Sequence, residues 1–469
     1  MTPNFENVIK KDLESCFNFI NEAESPDDYK ISSDDILLNN GKAHTYIEDN
    51  EITLALYAND LLSQDERNTL LDSKVLFRIT NDRRNLIFDF KSFSYITTLF
   101  MDEPNRFNCT IRKYHNSEIE DNVIKYFRAI IPTNIEQKPG GIFQSDSFNT
   151  NSITHFKGLV TITFPQYSFH LFSHKDKMDE KYYLVIDSLD KINYNDFKKY
   201  IDNILLAYSF VTGYFPRDKR YILSSPEINF ENIYGISYET LPKSLESSYS
   251  VFPRSDLRIY FSLPQNINFP QITFNKLCCV LLNHIELNRV LFLIVEGHTL
   301  SIELRAAIYS VALETITNII CDENESKIKP ITDKKFAKLL IAELKEVLLK
   351  YSDKCSKVNL ETLIKKIDVL NSPTNKQKLL KPFELLNITL NEKEKECINK
   401  RNDFLHGRIP YECNDDSEYQ LQQIALTLLY CVTILVLKYI GYNGFVLYYP
   451  SINEFKREKK ISDYIIKMI

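Results

Sequence analysis

The sequence has no tryptophan and only 10 glycines among 469 residues. Neither Gly-x-x-x-x-Gly-Lys-Ser/Thr nor Gly-x-Gly-x-x-Gly occurs in it. Because those loops bring backbone amides around phosphates, nucleotide binding by either route is not supported. A Gly-x-Ser-x-Gly elbow is also absent, which disfavours an α/β-hydrolase.

No Cys-x-x-Cys pair and no His-Glu-x-x-His motif is present, although the chain has nine cysteines. An odd number of scattered cysteines disfavours a disulfide framework and a zinc site, and it fits a reducing cytoplasm. His284 and His298 lack metal-ligand spacing, and His170 and His174 in a strand would lie about 13 Å apart. We therefore expect no metal and no cofactor.

Long hydrophobic runs are also missing. No apolar run precedes the charges of the N-terminal segment, so we expect no signal peptide. The most apolar stretch, Ile424–Leu437, has 14 residues without charge and ends at Lys438, whereas a membrane span needs roughly 20. This pattern predicts a buried core helix, no membrane association and a cytoplasmic location. A peripheral membrane protein that uses this helix is a weaker alternative.

The composition is that of a globular protein. Hydrophobic residues make up 44%, with 30 Phe and 28 Tyr, in a chain long enough for two or three domains. The net charge of −6 does not indicate a nucleic-acid binder. Residues 271–469, however, carry 28 basic and 25 acidic residues, so the acidic excess lies before them. The C-terminal part could therefore accept a polyanion locally.

The sequence predicts an α+β protein whose first 265 residues are rich in strands. The helix of this region spans Asp196–Thr212, with Asn195 as its cap and Gly213 just past its end. A loop at 137–141 suggests a subdomain break near 140–155. The candidate strands are β-branched and aromatic runs: Ile52–Tyr57, Val75–Ile79, Leu86–Phe90, a hairpin of Leu159–Phe164 with Ser168–Phe172, Tyr182–Ile186, Tyr221–Leu223 and Leu257–Phe261.

Residues 270–469 instead show helical periodicity, which predicts an all-α bundle. A short strand at Gly444–Tyr449 follows the helices. The predicted helices are Phe274–Glu296, Ser301–Ile320, Lys335–Tyr351, Leu360–Leu370, Lys376–Leu386 with an interruption at Pro382, Asn391–Leu405 and Glu418–Ile440.

The sharpest local pattern is Arg401-Asn-Asp-Phe-Leu-His406-Gly407, at the end of a charged helix. Gly407 is typical of a C-terminal cap, which places His406 in the last turn. Asn402 and His406 are four residues apart and share a face. Arg401 lies about 100° around the helix from Asn402, so the three side chains could face one cleft. The alternative is ordinary helix-end chemistry without function.

These residue types suit metal-free cleavage of RNA. The reaction needs a base for the 2′-hydroxyl proton and a cation for the charge that develops on the phosphate. Histidine titrates near neutrality and suits the first task. The guanidinium fork of arginine matches phosphate oxygens and suits the second.

Arg401-Asn402-x-x-x-His406 resembles the Arg-x4-His signature of HEPN domains, in which Asn, Asp or His often follows the arginine. The helix Glu303–Glu314, which ends in Ala-Leu-Glu, is similar to the "ALE" helix of ApeA-like HEPN proteins. Those are bacterial anti-phage proteins with a distinct N-terminal domain before the bundle. The resemblance covers roughly residues 275–445 and does not extend firmly to the N-terminal region.

The resemblance implies a metal-independent endoribonuclease that acts in abortive infection. It implies a homodimer in which both copies of Arg401 and His406 face one composite cleft, and a phage-derived trigger sensed by the N-terminal region. Asn402 would orient His406 or contact RNA. Glu314 would be a supporting polar group. The alternative is that Glu314 is an ordinary solvated residue on the helix surface.

One position departs from the resemblance. Many HEPN toxins paired with a nucleotidyltransferase carry tyrosine two residues after the histidine, whereas this chain has Arg408. Regulation by tyrosine modification there is therefore not expected. Arg408 and Lys400 are candidates for phosphate contacts, with surface solvation as the simpler interpretation. A non-catalytic HEPN-type protein that dimerises or binds nucleotide or RNA stays as the alternative function.

Overall fold

The computed structural model describes residues 13–24, 29–32, 42–48, 51–58, 77–81, 84–96, 105–120, 123–134, 136–137, 139–143, 148–150, 153–155, 159–175, 180–247, 249–252, 268–354, 356–405, 416–458 and 465–469. Its contacts divide the chain into two compact units. The first takes its described residues from 1–205, 214–245 and 264–279, and the second from 206–213, 246–263 and 280–469. The division at 265–270 by composition stays a prediction, as does the break near 140–155, where residues 144–147 and 151–152 lie outside the description.

Antiparallel strands form most of the first unit. In chain order, the strands before residue 250 are β1 (Tyr29–Ser32), β2 (Lys42–Glu48), β3 (Glu51–Ala58), β4 (Phe77–Asn81), β5 (Arg84–Ile96), β6 (Asn105–Asn116), β7 (Tyr126–Thr133), β8 (Phe148–Thr150), β9 (Ile153–His155), β10 (Val160–Thr163), β11 (Ser168–Lys175), β12 (Tyr182–Ser188), β13 (Tyr214–Phe215), β14 (Lys219–Ser225), β15 (Gly235–Thr240) and β16 (Leu245–Glu246).

Strand β6 joins the two parts of the main sheet. One edge pairs with β5, and the other pairs with β3 through residues 105–110 and with β15 through residues 113–115. Because β3, β2, β1, β4 and β5 follow one another, these pairings close a six-stranded ring through β6. From β15 the sheet continues as β14, β7, β12, β11 and β10. The predicted mixed α+β class, with strands in the N-terminal region, is confirmed.

Among the described residues, the helices that accompany this sheet are α1 (Glu14–Glu24), α2 (Ser117–Glu120), α3 (Pro139–Ile142) and α4 (Tyr194–Thr212). Helix α4 packs on one sheet face through aromatic side chains. The Phe127 and Phe197 rings lie 5.2 Å apart, and those of Phe169 and Tyr200 lie 5.3 Å apart. Cys16 and Ile20 of α1 belong to a second core, which also contains Ile130.

The cap of α4 differs from the prediction. The helix begins at Tyr194, so Asn195 lies inside it. Asn193 is the cap, because its Oδ1 accepts a hydrogen bond from the backbone N of Asp196 at 2.8 Å. Gly213 has a φ of +74°, the left-handed conformation predicted for the residue past the helix end.

Most predicted strands of this region are confirmed. Ile52–Tyr57, Leu86–Phe90, Tyr182–Ile186 and Tyr221–Leu223 lie within β3, β5, β12 and β14. The predicted hairpin is present as β10 and β11, with Thr163 opposite Ser168. The prediction at Val75–Ile79 overlaps β4 from Phe77 onward. Leu257–Phe261 lies outside the described residues.

Helices form most of the second unit, which contains the end of α4 and all of α5 from residue 280 onward. Helix α7 is central and packs against α6, α11, α12 and α13. From residue 270 onward the elements are α5 (Gln271–Asn283), α6 (Ile285–Gly297), α7 (Ile302–Glu323), α8 (Glu325–Ile328), α9 (Lys334–Leu349), α10 (Lys357–Asp368), α11 (Asn375–Leu385), α12 (Glu392–Leu405), α13 (Ser417–Tyr439), β17 (Phe445–Leu447), α14 (Tyr449–Glu458) and β18 (Ile466–Met468).

Two helix predictions in this part are wrong in detail. Phe274–Glu296 is not one helix, because His284 has an extended backbone with φ −123° and ψ 98° that separates α5 from α6. Pro382 does not interrupt α11. A proline leaves the carbonyl four residues earlier without its N–H donor. Here that carbonyl belongs to Lys378, and the Cys321 thiol donates to it at 3.3 Å.

Every residue from Ile424 to Leu437 is buried within the second unit, as the sequence predicts. By length and composition alone, α7 and α13 are nevertheless long and apolar enough to cross a membrane. Helices α5 and α6 would add a third candidate if they counted as one broken span. The absence of membrane association and the cytoplasmic location stay predictions.

Candidate active site

The helix that carries the candidate site, α12, begins at a capping box. The Asn391 backbone N donates to Glu394 Oε2 at 2.9 Å, and the Glu394 backbone N donates to Asn391 Oδ1 at 2.9 Å. This reciprocal pair satisfies two N–H groups that a helix start leaves without partners. The predicted helix Asn391–Leu405 is thus confirmed to within one residue.

The buried stripe of α12 is unusual because it contains charged residues. Glu394, Ile398 and Arg401 are buried and stand four and three residues apart, a spacing that places them on one helix face. Most other positions of the helix are polar and at least partly exposed. A charged group inside a bundle needs a partner, and both charged residues of this stripe have one.

Arg401 pairs with Glu314 of α7. Its Nη2 donates to Glu314 Oε1 at 2.9 Å. The arginine is 4% exposed, while the Glu314 side chain is 42% exposed. The buried Arg401 Nε finds no hydrogen-bond acceptor among the described residues. The guanidinium is therefore held at one nitrogen by a carboxylate that reaches solvent.

The hydroxyl groups near Glu314 on α7 donate their hydrogen bonds to backbone carbonyls of the same helix. The Ser310 hydroxyl donates to the Ala306 carbonyl at 2.7 Å, and the Thr317 hydroxyl donates to the Leu313 carbonyl at 2.8 Å. Ala312 and Leu313 are fully buried. The Ala-Leu-Glu segment thus anchors α7 with its first two residues and presents the third to Arg401.

The other predicted site residues are placed only in part. Lys400 Nζ pairs with Glu396 Oε1 at 2.6 Å. The hydrogen bond and charge of Lys400 lower the pKa of the Glu396 carboxyl. Asn402 lies in the last turn of α12, but its side chain is outside the description. His406 and Arg408 lie outside the described residues, so their convergence with Arg401 stays a prediction.

No protein-family model, curated protein or solved structure matches this chain. The likeness to HEPN domains therefore rests on Arg401, His406 and the Ala-Leu-Glu segment read from the sequence. Of these, the structure describes Arg401 and Glu314 and brings the two side chains into contact. Sequence reasoning named both residues but gave no sign that they pair.

In the part of the chain that the structure describes, no group of three or more His, Cys, Asp or Glu could hold a metal ion. His298, which has no metal-ligand spacing, instead contacts the Tyr309 hydroxyl through Nδ1 at 3.1 Å. Burial, and secondly the charge of Arg305, lowers the pKa of His298 to about 3. A neutral histidine held in this way belongs to the packing of the bundle.

Sequence reasoning missed Glu394 and Lys467, which form a second ion pair at the start of α12. Asn391-x-x-Glu394 has capping-box spacing and could have indicated the role of the glutamate. Nothing local marks Lys467, which lies 73 residues further along the chain.

Proposed function

We propose that this chain is a metal-independent endoribonuclease of a bacterial anti-phage system, with a HEPN-like helical bundle as its catalytic part. The observation that carries the proposal is Arg401: a buried guanidinium, held at one nitrogen by the half-exposed Glu314, and five residues before His406 in the sequence. An arginine with donor capacity to spare suits the charge of a phosphate. The sequence resemblance supplies the substrate class.

In the proposed reaction the ribose 2′-oxygen attacks the adjacent phosphorus while His406 accepts its proton. The bond from phosphorus to the 5′-oxygen breaks, and that oxygen takes up a proton. The products are a 2′,3′-cyclic phosphate and a 5′-hydroxyl end. Arg401 stabilises the negative charge that develops on the non-bridging oxygens. Because the protein holds the guanidinium in position before the reaction starts, no reorganisation is needed when the charge forms.

Glu314 has a double effect in this scheme. Its carboxylate fixes the Arg401 guanidinium and offsets the energy required to bury it. Because the glutamate reaches solvent, Arg401 also lies beside a route from solvent rather than in a closed core. Lys400 and Arg408 are the proposed phosphate contacts outside the reacting centre, and Asn402 orients His406.

The proposal includes a homodimer in which both copies of Arg401 and His406 face one composite cleft. The N-terminal unit would sense a phage-derived trigger in the cytoplasm. The net charge of −6 disfavours binding of RNA over the whole surface, which fits an enzyme that meets its substrate in a local cleft.

A second function follows from the burial of Arg401. At 4% exposure and with a carboxylate partner, the arginine can also be explained as a structural ion pair of a non-catalytic HEPN-type protein. Such a protein would dimerise, or bind nucleotide or RNA, without cutting it. In that case replacement of His406 or Arg401 would change the melting temperature and leave RNA intact.

The deciding experiment uses the purified full chain, labelled RNA and EDTA. We expect wild type to cut RNA without added metal and to leave 2′,3′-cyclic phosphate ends. We expect His406→Ala to abolish cleavage and toxicity in a bacterial host while the protein stays folded. His44→Ala, in strand β2 of the other unit, is the matched control and should cut normally. Cleavage that persists in His406→Ala would move the active site elsewhere.

A further inference from the structure

The last strand of the chain docks on the helical unit. Strand β18 pairs antiparallel with β17, with Lys467 opposite Val446. Backbone hydrogen bonds hold both of its ends: Ile469 N donates to the Gly444 carbonyl at 3.0 Å, and Tyr448 N donates to the Ile465 carbonyl at 2.8 Å. This pairing places the Lys467 side chain at a fixed position.

The Lys467 ammonium enters a cage of two aromatic rings and one carboxylate. Its Nζ lies 3.4 Å from the Tyr448 ring centroid and 5.0 Å from that of Tyr430. The two rings meet edge to face at 4.8 Å. Nζ also donates to Glu394 Oε1 at 2.8 Å. The ring faces attract the ammonium through their quadrupoles, and the carboxylate attracts it through its negative charge.

Glu394 connects this cage to α12. Its side chain is 2% exposed, against 28% for Lys467. One carboxylate oxygen faces the lysine, and the other accepts from the Asn391 backbone N in the capping box. Arg401 follows two turns later on the same buried stripe. The position of the Glu394 carboxylate is therefore tied to where the helix starts.

A buried carboxylate without a cation is strongly unfavourable. Lys467 is the cation that Glu394 meets here. If the lysine lost its charge, Glu394 would have to take up a proton or turn toward solvent. A turn toward solvent would break the capping box and let the first turn of α12 unwind, which would shift the rest of the helix.

We propose that Lys467 is a positioning residue: through Glu394 it fixes the start of α12 and thereby the placement of Arg401, so that the C-terminal strand controls whether the candidate site is competent. This inference rests on the proposed ribonuclease function. Lys467 does not itself touch the reacting atoms. Its effect on the site passes through the Glu394 carboxylate. A substitution of Glu394 should therefore reverse the effect of losing the Lys467 charge.

The test is a double-mutant cycle in the full chain. Lys467→Met keeps the apolar stem and removes the charge. We expect kcat for RNA cleavage to fall roughly tenfold to a hundredfold, as for other small misplacements of a catalytic group, with KM nearly unchanged. Lys467→Arg should retain most of the activity. Lys438→Met is the matched control, because Lys438 pairs with Asn443 in an exposed position, and it should behave as wild type.

The decisive arm is Lys467→Met combined with Glu394→Gln. The glutamine carbonyl can still accept from the Asn391 backbone N, but it needs no cation. We expect this second change to restore kcat to within about threefold of wild type, since an uncharged cap leaves no buried charge to compensate. A lysine that only stabilised β18 would not be rescued by a change in α12. Failure of rescue, or normal kcat in Lys467→Met, overturns the proposal.

Hydrogen exchange separates this inference from the proposed function. In Lys467→Met the amides of residues 395–405 should exchange faster than in wild type, and the second substitution should reverse the change. This readout needs no RNA. If wild type does not cut RNA, the proposed function fails while the exchange data still judge the link from Lys467 to α12. Unchanged exchange in α12 refutes that link even if the protein is a ribonuclease.

Discussion

Arg128 in the first unit and Arg401 in the second are both buried, but they are held in different ways. Arg128 on β7 makes two parallel bonds of 2.7 Å to Asp187 on β12. Its third nitrogen lies 3.4 Å from the Cys16 sulfur, and its guanidinium lies 4.4 Å from the centroid of the Phe230 ring. Arg401 instead has one bond of 2.9 Å to Glu314 and an Nε with no partner among the described residues.

The partners differ as much as the arginines. The Asp187 side chain is 3% exposed, whereas that of Glu314 is 42% exposed. In a bidentate pair inside a sheet, each group uses its hydrogen-bonding capacity on the other. Neither group can exchange its partner without unfolding. A single bond to a solvent-facing carboxylate leaves the guanidinium able to donate hydrogen bonds to another oxygen anion as well. Under the proposed function, Arg128 serves the fold and Arg401 serves chemistry.

The largest expected effect is on stability in the first unit. Arg128→Met leaves Asp187 buried without a cation and should lower the free energy of unfolding by about 3–5 kcal/mol. Arg401→Met should lower it by about 1–2 kcal/mol, because Glu314 can turn to water. Urea-dependent hydrogen exchange of β7 and α12 measures the two units separately. Equal losses would remove the distinction between the arginines.

The next effect is on catalysis. Arg401→Lys keeps the charge but loses the planar fork, and under the proposed function kcat should fall roughly 10²–10³-fold. The matched control is Arg457→Lys, because Arg457 also pairs with a carboxylate, that of Asp416, at 2.7 Å. It should cut RNA at the wild-type rate. A lysine variant of Arg401 that is fully active would make the guanidinium structural.

A third prediction concerns acid. Because the folded state keeps the pKa of His298 at about 3, while an unfolded histidine titrates near 6.5, the unfolded state binds more protons between these values. Stability of the helical unit should therefore fall as the pH drops from about 6.5 toward 3. Between pH 7 and pH 5 the loss should be about 1–2 kcal/mol.

His298→Asn keeps a side chain that can bond to the Tyr309 hydroxyl but cannot titrate. Urea unfolding at both pH values should show that the variant lacks this part of the acid sensitivity. The first unit offers the opposite case, because burial raises the pKa of Glu24 and its folded form takes up a proton more readily. An identical pH slope in wild type and His298→Asn would show that the histidine is not held neutral.

The two units also differ in how far the sequence predicts them. Apart from the break at His284, the predicted helices of the second unit lie close to their observed bounds, because each carries its own apolar pattern. Strand β7 was missed, although it lies inside the sheet. Its sequence Tyr-Phe-Arg-Ala-Ile-Ile-Pro-Thr contains an arginine and a proline, which argue against a buried strand until Asp187 is placed opposite Arg128.

The candidate site shows the same limit. The sequence identifies Arg401 and Glu314 one at a time, but they are 87 residues apart and meet only when α12 packs on α7. Lys467 and Glu394 are separated by 73 residues and depend on the final strand. Helix periodicity predicts which face of a helix is buried, but it does not predict which charged residue of another element contacts that face. Ion pairs between residues this far apart in the chain therefore cannot be predicted from helix periodicity.

The smallest expected effect is the coupling between Arg401 and Glu314. A double-mutant cycle with Arg401→Met and Glu314→Gln should give a coupling free energy of about 0.5–1 kcal/mol, because one partner is nearly half exposed. The same cycle with Arg128→Met and Asp187→Asn should give about 3 kcal/mol or more. Both cycles use urea-dependent exchange in the unit concerned. A coupling for Arg401 as large as that for Arg128 would mean that Arg401 and Glu314 form a structural ion pair, as Arg128 and Asp187 do, and would favour the non-catalytic alternative.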